Sequence, residues 1–81
     1  EESINVYPNP STGIVNIDLK GAMTQNATLE VFNAMGQKVL SQIYTDAIGK
    51  FEIDLSGNAK GVYNIKLIVD GQVVSKLIVL Q

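Results

Sequence analysis

Few residues in this chain have side chains able to do chemistry, and the acids come first. Glu1, Glu2, Asp18, Glu30, Asp46, Glu52, Asp54 and Asp70 are the full set. Glu52 and Asp54 alternate with Phe51, Ile53 and Leu55, so on a strand their carboxylates share a face roughly 7 Å apart. Glycoside hydrolysis needs two carboxylates flanking one cleft; on an alternating strand the same pair reads as a solvated face. No D-x-D-x-D-G series prepares a calcium loop. His, Cys, Trp and Arg are all absent, which excludes Ser-His and Cys-His catalysis, disulfide exchange and a His/Cys zinc site. The expectation is a non-enzymatic module with no catalytic, cofactor-binding or metal-ligating residue.

The remaining candidates are weaker still. Asn26-Ala27-Thr28 fits the N-glycosylation acceptor pattern, whereas Asn9-Pro10-Ser11 is barred by its central proline. Such triplets are common, and Thr28 also suits the start of a strand. The aromatics are Tyr7, Tyr44, Tyr63, Phe32 and Phe51. Alternation turns Phe51 and Tyr63 toward a core and puts Phe32 one step out of phase, which favours packing over sugar stacking. Six lysines, no arginine, a net charge of −2 and a pI near 4.8 argue against nucleic acid. The lysines form no run and read as guards of exposed strand edges. The chain ends on Leu77-Ile78-Val79-Leu80-Gln81, and so apolar an end must be a buried strand or a partner surface.

With 81 residues, 46% hydrophobic and 17% charged, the chain is expected to fold as one domain, residues 1–81, and its opening Glu1-Glu2-Ser3 reads as the middle of a longer chain. No stretch nears the roughly 20 apolar residues needed to span a bilayer, so no direct membrane insertion is expected. No basic-then-apolar leader opens the chain.

Strand formers dominate. Val, Ile and Thr supply 22 residues against five Ala, and β-branched side chains suit a pleated surface. Turn clusters fall at 8–13, Lys20-Gly21, Met35-Gly36-Gln37, Ile48-Gly49, Ser56-Gly57-Asn58 and Asp70-Gly71. Between them apolar residues alternate: Ile4 and Val6; Val15, Ile17 and Leu19; Ala27, Leu29 and Val31; Phe51, Ile53 and Leu55. A period of two means one buried and one solvated face, as in an antiparallel β-sandwich. Seven strands are predicted near residues 3–7, 14–20, 27–33, 38–44, 50–55, 62–69 and 72–80, with the fourth at an edge or switching sheets.

The last hairpin admits two registers. A two-residue Asp70-Gly71 turn pairs Ile65 with Lys76 and Tyr63 with Ile78, setting a charge beside the apolar face. A three-residue Val69-Asp70-Gly71 loop, with Gly71 left-handed, turns Val73, Ser75 and Leu77 inward with Tyr63, Ile65 and Leu67. It leaves Lys66, Lys76, Val62, Ile68, Val74 and Ile78 outward. Because the buried pattern sets register, the three-residue loop is expected. The outward apolar positions then allow a weak homodimer.

Four segments, in order, carry a family resemblance. They are Val6-Tyr7-Pro8-Asn9-Pro10-Ser11-Thr12-Gly13; Val31-Phe32-Asn33-Ala34-Met35-Gly36-Gln37-Lys38-Val39; Asp54-Leu55-Ser56 with Ala59-Lys60-Gly61-Val62-Tyr63; and Val74-Ser75-Lys76-Leu77-Ile78-Val79-Leu80-Gln81. Together they resemble the C-terminal sorting domain of the type IX secretion system of Bacteroidetes. The resemblance implies a seven-stranded immunoglobulin-like sandwich at the end of a larger cargo. It also implies that outer-membrane translocation machinery reads the domain once the cargo is periplasmic, and that a sortase usually removes it. The cargo is then left on the cell surface, often joined to lipopolysaccharide, or secreted. The partners implied are translocon and sortase components, and the recognition residues Lys76, Leu77, Ile78, Val79, Leu80 and Gln81. Relatives often carry two adjacent lysines where this chain has Ser75-Lys76. Pro8, Asn9, Pro10, Gly13, Gly36, Gly61 and Tyr63 are the motif positions that match. Pro8 and Pro10 would end the first strand by withholding donors, Gly13 would take a positive φ, Gly61 would permit close backbone approach, and the Tyr63 hydroxyl needs a partner. An adhesive or carbohydrate-binding sandwich appended to an extracellular enzyme is the alternative, as is a purely structural spacer.

Overall fold

A computed structural model describes residues 4–23, 26–45, 48–69 and 71–81. The described residues form strands only: β1 (Asn5–Tyr7), β2 (Ile14–Met23), β3 (Asn26–Phe32), β4 (Lys38–Thr45), β5 (Ile48–Asp54), β6 (Gly61–Val69) and β7 (Gln72–Leu80). They divide into a three-stranded sheet, β1-β2-β5, and a four-stranded sheet, β4-β3-β6-β7, with every ladder antiparallel. The architecture is the expected immunoglobulin-like antiparallel sandwich.

Alternation does what the pleat requires. Val15, Ile17 and Leu19 from β2 and Ala27, Leu29 and Val31 from β3 are fully buried, with Ile65 and Leu67 from β6. Ile53, Leu55, Ile4, Tyr63, Ile78 and Leu80 complete the core between the sheets. Glu52 and Asp54 are exposed, the solvated face expected of them. On the outer face of the larger sheet Glu30 lies 3.4 Å from Lys38 and 3.9 Å from Lys66. β4 is an edge strand with a bulge opposite Val31 and Phe32. At that side Tyr44 stacks on Phe51 across the sheets, ring centroids 4.2 Å apart, and burial raises the Tyr44 phenol above its usual range.

Two turn expectations are corrected. Lys20-Gly21 lies inside β2, whose ladder to β5 shifts register between Asp18 and Met23, and Ile48-Gly49 opens β5. Glycine there marks an irregular ladder rather than a turn. The predicted first strand, 3–7, begins before β1, its residue 3 lying outside the described residues, and the predicted third, 27–33, is shifted by one residue from β3.

The last hairpin is the larger correction. Val69 pairs with Gln72, Ile65 with Lys76 and Tyr63 with Ile78, so two residues connect the strands and the expected three-residue loop is wrong. Asp70 lies outside the described residues; Gly71 has a left-handed φ of +82°, which glycine takes without steric cost. Ile78 and Leu80 are buried and Val74 and Lys76 half-buried, while Val73 and Leu77 are 58% and 65% exposed. The observed register puts a lysine, Lys76, on the inner face opposite Ile65. That is tolerable because β7 is an edge strand of the wider sheet, and a lysine stem can lie along apolar surface with its ammonium in water.

Candidate functional site

The four motif segments, far apart in sequence, meet at one pole of the sandwich. Ile14 pairs with Asp54 where β2 begins and β5 ends; Gly61 pairs with Leu80 where β6 begins and β7 ends; the β3–β4 turn closes just beyond the Phe32–Asn64 pair. The register of both sheets therefore gathers residues 8–13, 33–37, 54–63 and 77–81 at the same end.

The proline segment is built to cross between sheets. β1 pairs with β2 in the smaller sheet; four residues past Tyr7, Ser11 forms a parallel bridge with Leu80 of the larger one. Pro8 and Pro10 are exposed and follow the last β1 pair, where a missing N–H costs no ladder bond. Asn9 acts as a strand residue through its side chain. Its Nδ2 donates to the Leu77 carbonyl at 3.1 Å, and its Oδ1 accepts from the Val79 N–H at 3.0 Å. Backbone takes over at Ser11, which donates to the Val79 carbonyl at 2.8 Å and accepts from the Gln81 N–H at 2.7 Å. The Ser11 hydroxyl, 1% exposed, donates to the Ile14 carbonyl and accepts from the Gly13 N–H. A buried hydroxyl must be satisfied in this way. Composition and spacing did not single out Ser11 for this role. Its local signature, Pro10-Ser11-Thr12-Gly13, is one that many turns share.

Gly13 is held by two constraints. Its φ is +152°, and a Cβ there would lie 2.9 Å from the Ser56 Cβ. Its carbonyl accepts from the Leu55 N–H at 2.8 Å, docking the segment onto the end of β5. The close approach expected of Gly61 is absent: nothing lies within 4 Å of a Cβ at that position, and a φ of +148° is what favours glycine.

The other turns carry their own locks. Asn33 Oδ1 accepts from the Met35 and Gln37 N–H groups, both at 2.9 Å, and its Nδ2 donates to Gln37 Oε1. Asparagine can thus build an Asx turn on its own backbone, and the Gly36 N–H closes it onto the Asn33 carbonyl. Asp54 accepts from the Ser56 N–H at 2.8 Å. The Ser56 hydroxyl and then its amide hold the Asp54 carboxyl below its usual range. Tyr63, 4% exposed, donates its hydroxyl to the Ala59 carbonyl, which supplies the partner it needs and ties the β5–β6 connection to the core as a tyrosine corner does.

The pole offers contact surface. A shallow, mostly apolar recess of about 210 Å³ lies between the β3–β4 turn and the start of β6, with Met35, Val62 and Tyr63 among its walls. Beside it on the outer face, Leu77, Val79 and Val62 are exposed and Phe32 is half-buried. Of the expected recognition residues, Leu77, Val79 and Gln81 are accessible, Lys76 is half-buried, and Ile78 and Leu80 are core. Among the aromatics, Tyr63 is buried, Tyr44 and Phe51 stack on each other, Phe32 is half-buried and Tyr7 is exposed.

No curated protein matches the chain. A family match does exist: the secretion system C-terminal sorting domain aligns with residues 5–81, spanning both sheets and all four segments of the pole. The chain belongs to this family, the sorting domains of type IX secretion.

Proposed function

We propose that this domain is a removable export signal, read at its pole by the type IX translocation machinery. As a sorting domain it directs export toward the cell surface. In our reading the domain is the C-terminal piece of a longer protein. The machinery contacts Leu77, Val79 and Gln81 with the neighbouring recess, an upstream cargo is carried across the outer membrane, and a sortase then cuts ahead of residue 1. The domain itself performs no catalysis.

The observation that carries this reading is the convergence of the four family segments on one end, around the last strand. The direction of β1 agrees with it. Asn5 pairs with Asp18 and Tyr7 with Asn16, so the chain enters running toward the pole and a cargo upstream would leave that end uncovered.

Deleting Lys76–Gln81 is a poor test, because it removes Ile78 and Leu80 from the core. Leu77→Ser with Val79→Ser is the cleaner perturbation. In a cargo fusion, the double variant should remain folded and leave the cargo in the periplasm, while the unaltered fusion reaches the surface without these 81 residues by mass spectrometry. Normal surface delivery by the folded double variant refutes the reading.

A further inference from the structure

The edge of the terminal strand is unequally covered. In an antiparallel ladder, alternate residues aim their N–H and C=O groups away from the paired strand. On β7 these are Leu77, Val79 and Gln81, whose outward groups meet Asn9 and Ser11. The β6–β7 register is continuous from Gly61–Leu80 to Val69–Gln72, so the same alternation makes Val73 and Ser75 the next outward residues. Among the described residues no segment pairs with that half of the edge. One half of the β7 edge is covered by residues 9–11, then, and the other, with Val73 and Ser75 facing outward, is free.

We infer that residues 9–11 are an intramolecular strap that blocks strand addition to the terminal signal, with the Asn9 side chain as its releasable end. An uncovered apolar edge strand is a template for pairing with another chain, and Leu77 to Gln81 is the most apolar stretch of this one. Ser11 is anchored by its buried hydroxyl, whereas Asn9 is exposed and flanked by exposed prolines. Asn9 holds two of the four edge bonds by side chain alone, so it can let go without the core moving. While it is seated, a partner meets the side chains of Leu77 and Val79, and the backbone beneath them is closed.

The test needs only the 81-residue chain, so its failure leaves the sorting reading untouched. Backbone amide exchange is compared in wild type, Asn9→Ala, Asn9→Asp and Asn16→Ala, the last removing a comparable side-chain bond to the Tyr7 carbonyl off the β7 edge. In Asn9→Ala the Val79 amide should exchange about tenfold faster or more, with the Ile65 and Leu67 amides unchanged. Asn9→Asp keeps the acceptor for Val79 and should fall between, and Asn16→Ala should match wild type. A synthetic peptide of residues 74–81 should bind Asn9→Ala saturably and leave wild type unbound. Unchanged Val79 exchange in both Asn9 variants, or equal peptide binding by wild type, overturns the inference.

Discussion

Replacing two adjacent residues of β7 by alanine should have very unequal consequences. Ile78 is fully buried and Leu77 is 65% exposed. Removing a buried isoleucine side chain beyond Cβ costs about 3 kcal/mol, within a span of roughly 2–5. Leu77 has about a third of its surface covered, so its truncation forfeits at most about 1 kcal/mol of a transfer value near 1.5–3. For a chain this size total stability is about 4–12 kcal/mol, and an unfolding entropy of about 170 cal/mol/K makes each kcal/mol about 6 °C in Tm. Ile78→Ala should therefore lower Tm by about 18 °C, and Leu77→Ala by no more than about 6 °C. Circular dichroism melts with urea midpoints measure both. Equal losses, or a larger loss at Leu77, would mean that β7 is shifted by one residue and that the three-residue loop was right after all.

Two further outcomes follow from the pole. Gly13→Ala puts a Cβ 2.9 Å from that of Ser56 at φ +152°, so it should cost about 2–4 kcal/mol; Ser56→Gly in the same chain should recover the steric share, giving a favourable coupling in a double-mutant cycle. Asp54 should titrate below its ordinary 3.8, with the Ser56 hydroxyl as the main cause. Because its folded value is depressed, the stabilisation is present above the unfolded value and fades as pH falls through the folded one; carbon-detected NMR should show Ser56→Ala moving the Asp54 titration upward, and no movement would remove the Ser56 hydroxyl as the main cause, since the backbone N–H bond is kept.

The chain alone determined its all-β class, its strand count and most of its core. A period of two is printed directly in the residues of β2, β3, β5 and β6, and burial on one face is its immediate consequence. It also determined the turn at Met35-Gly36-Gln37 and the need for a partner at Tyr63, because both are local; the Asn33 side chain that locks that turn came only with the structure. It could not decide the inward face of β7. A lysine on the inner row looks prohibitive until the strand is known to lie at the edge of the wider sheet, where its stem can run out to water. Nor could it reveal why Asn9, Ser11 and Gly13 stand where they do. Their partners are Leu77, Val79, Gln81, Leu55 and Ser56, brought within reach only when the first strand crosses from one sheet to the other. Local propensity and periodicity live along the chain; the strap and the pole exist only between segments the fold has brought together.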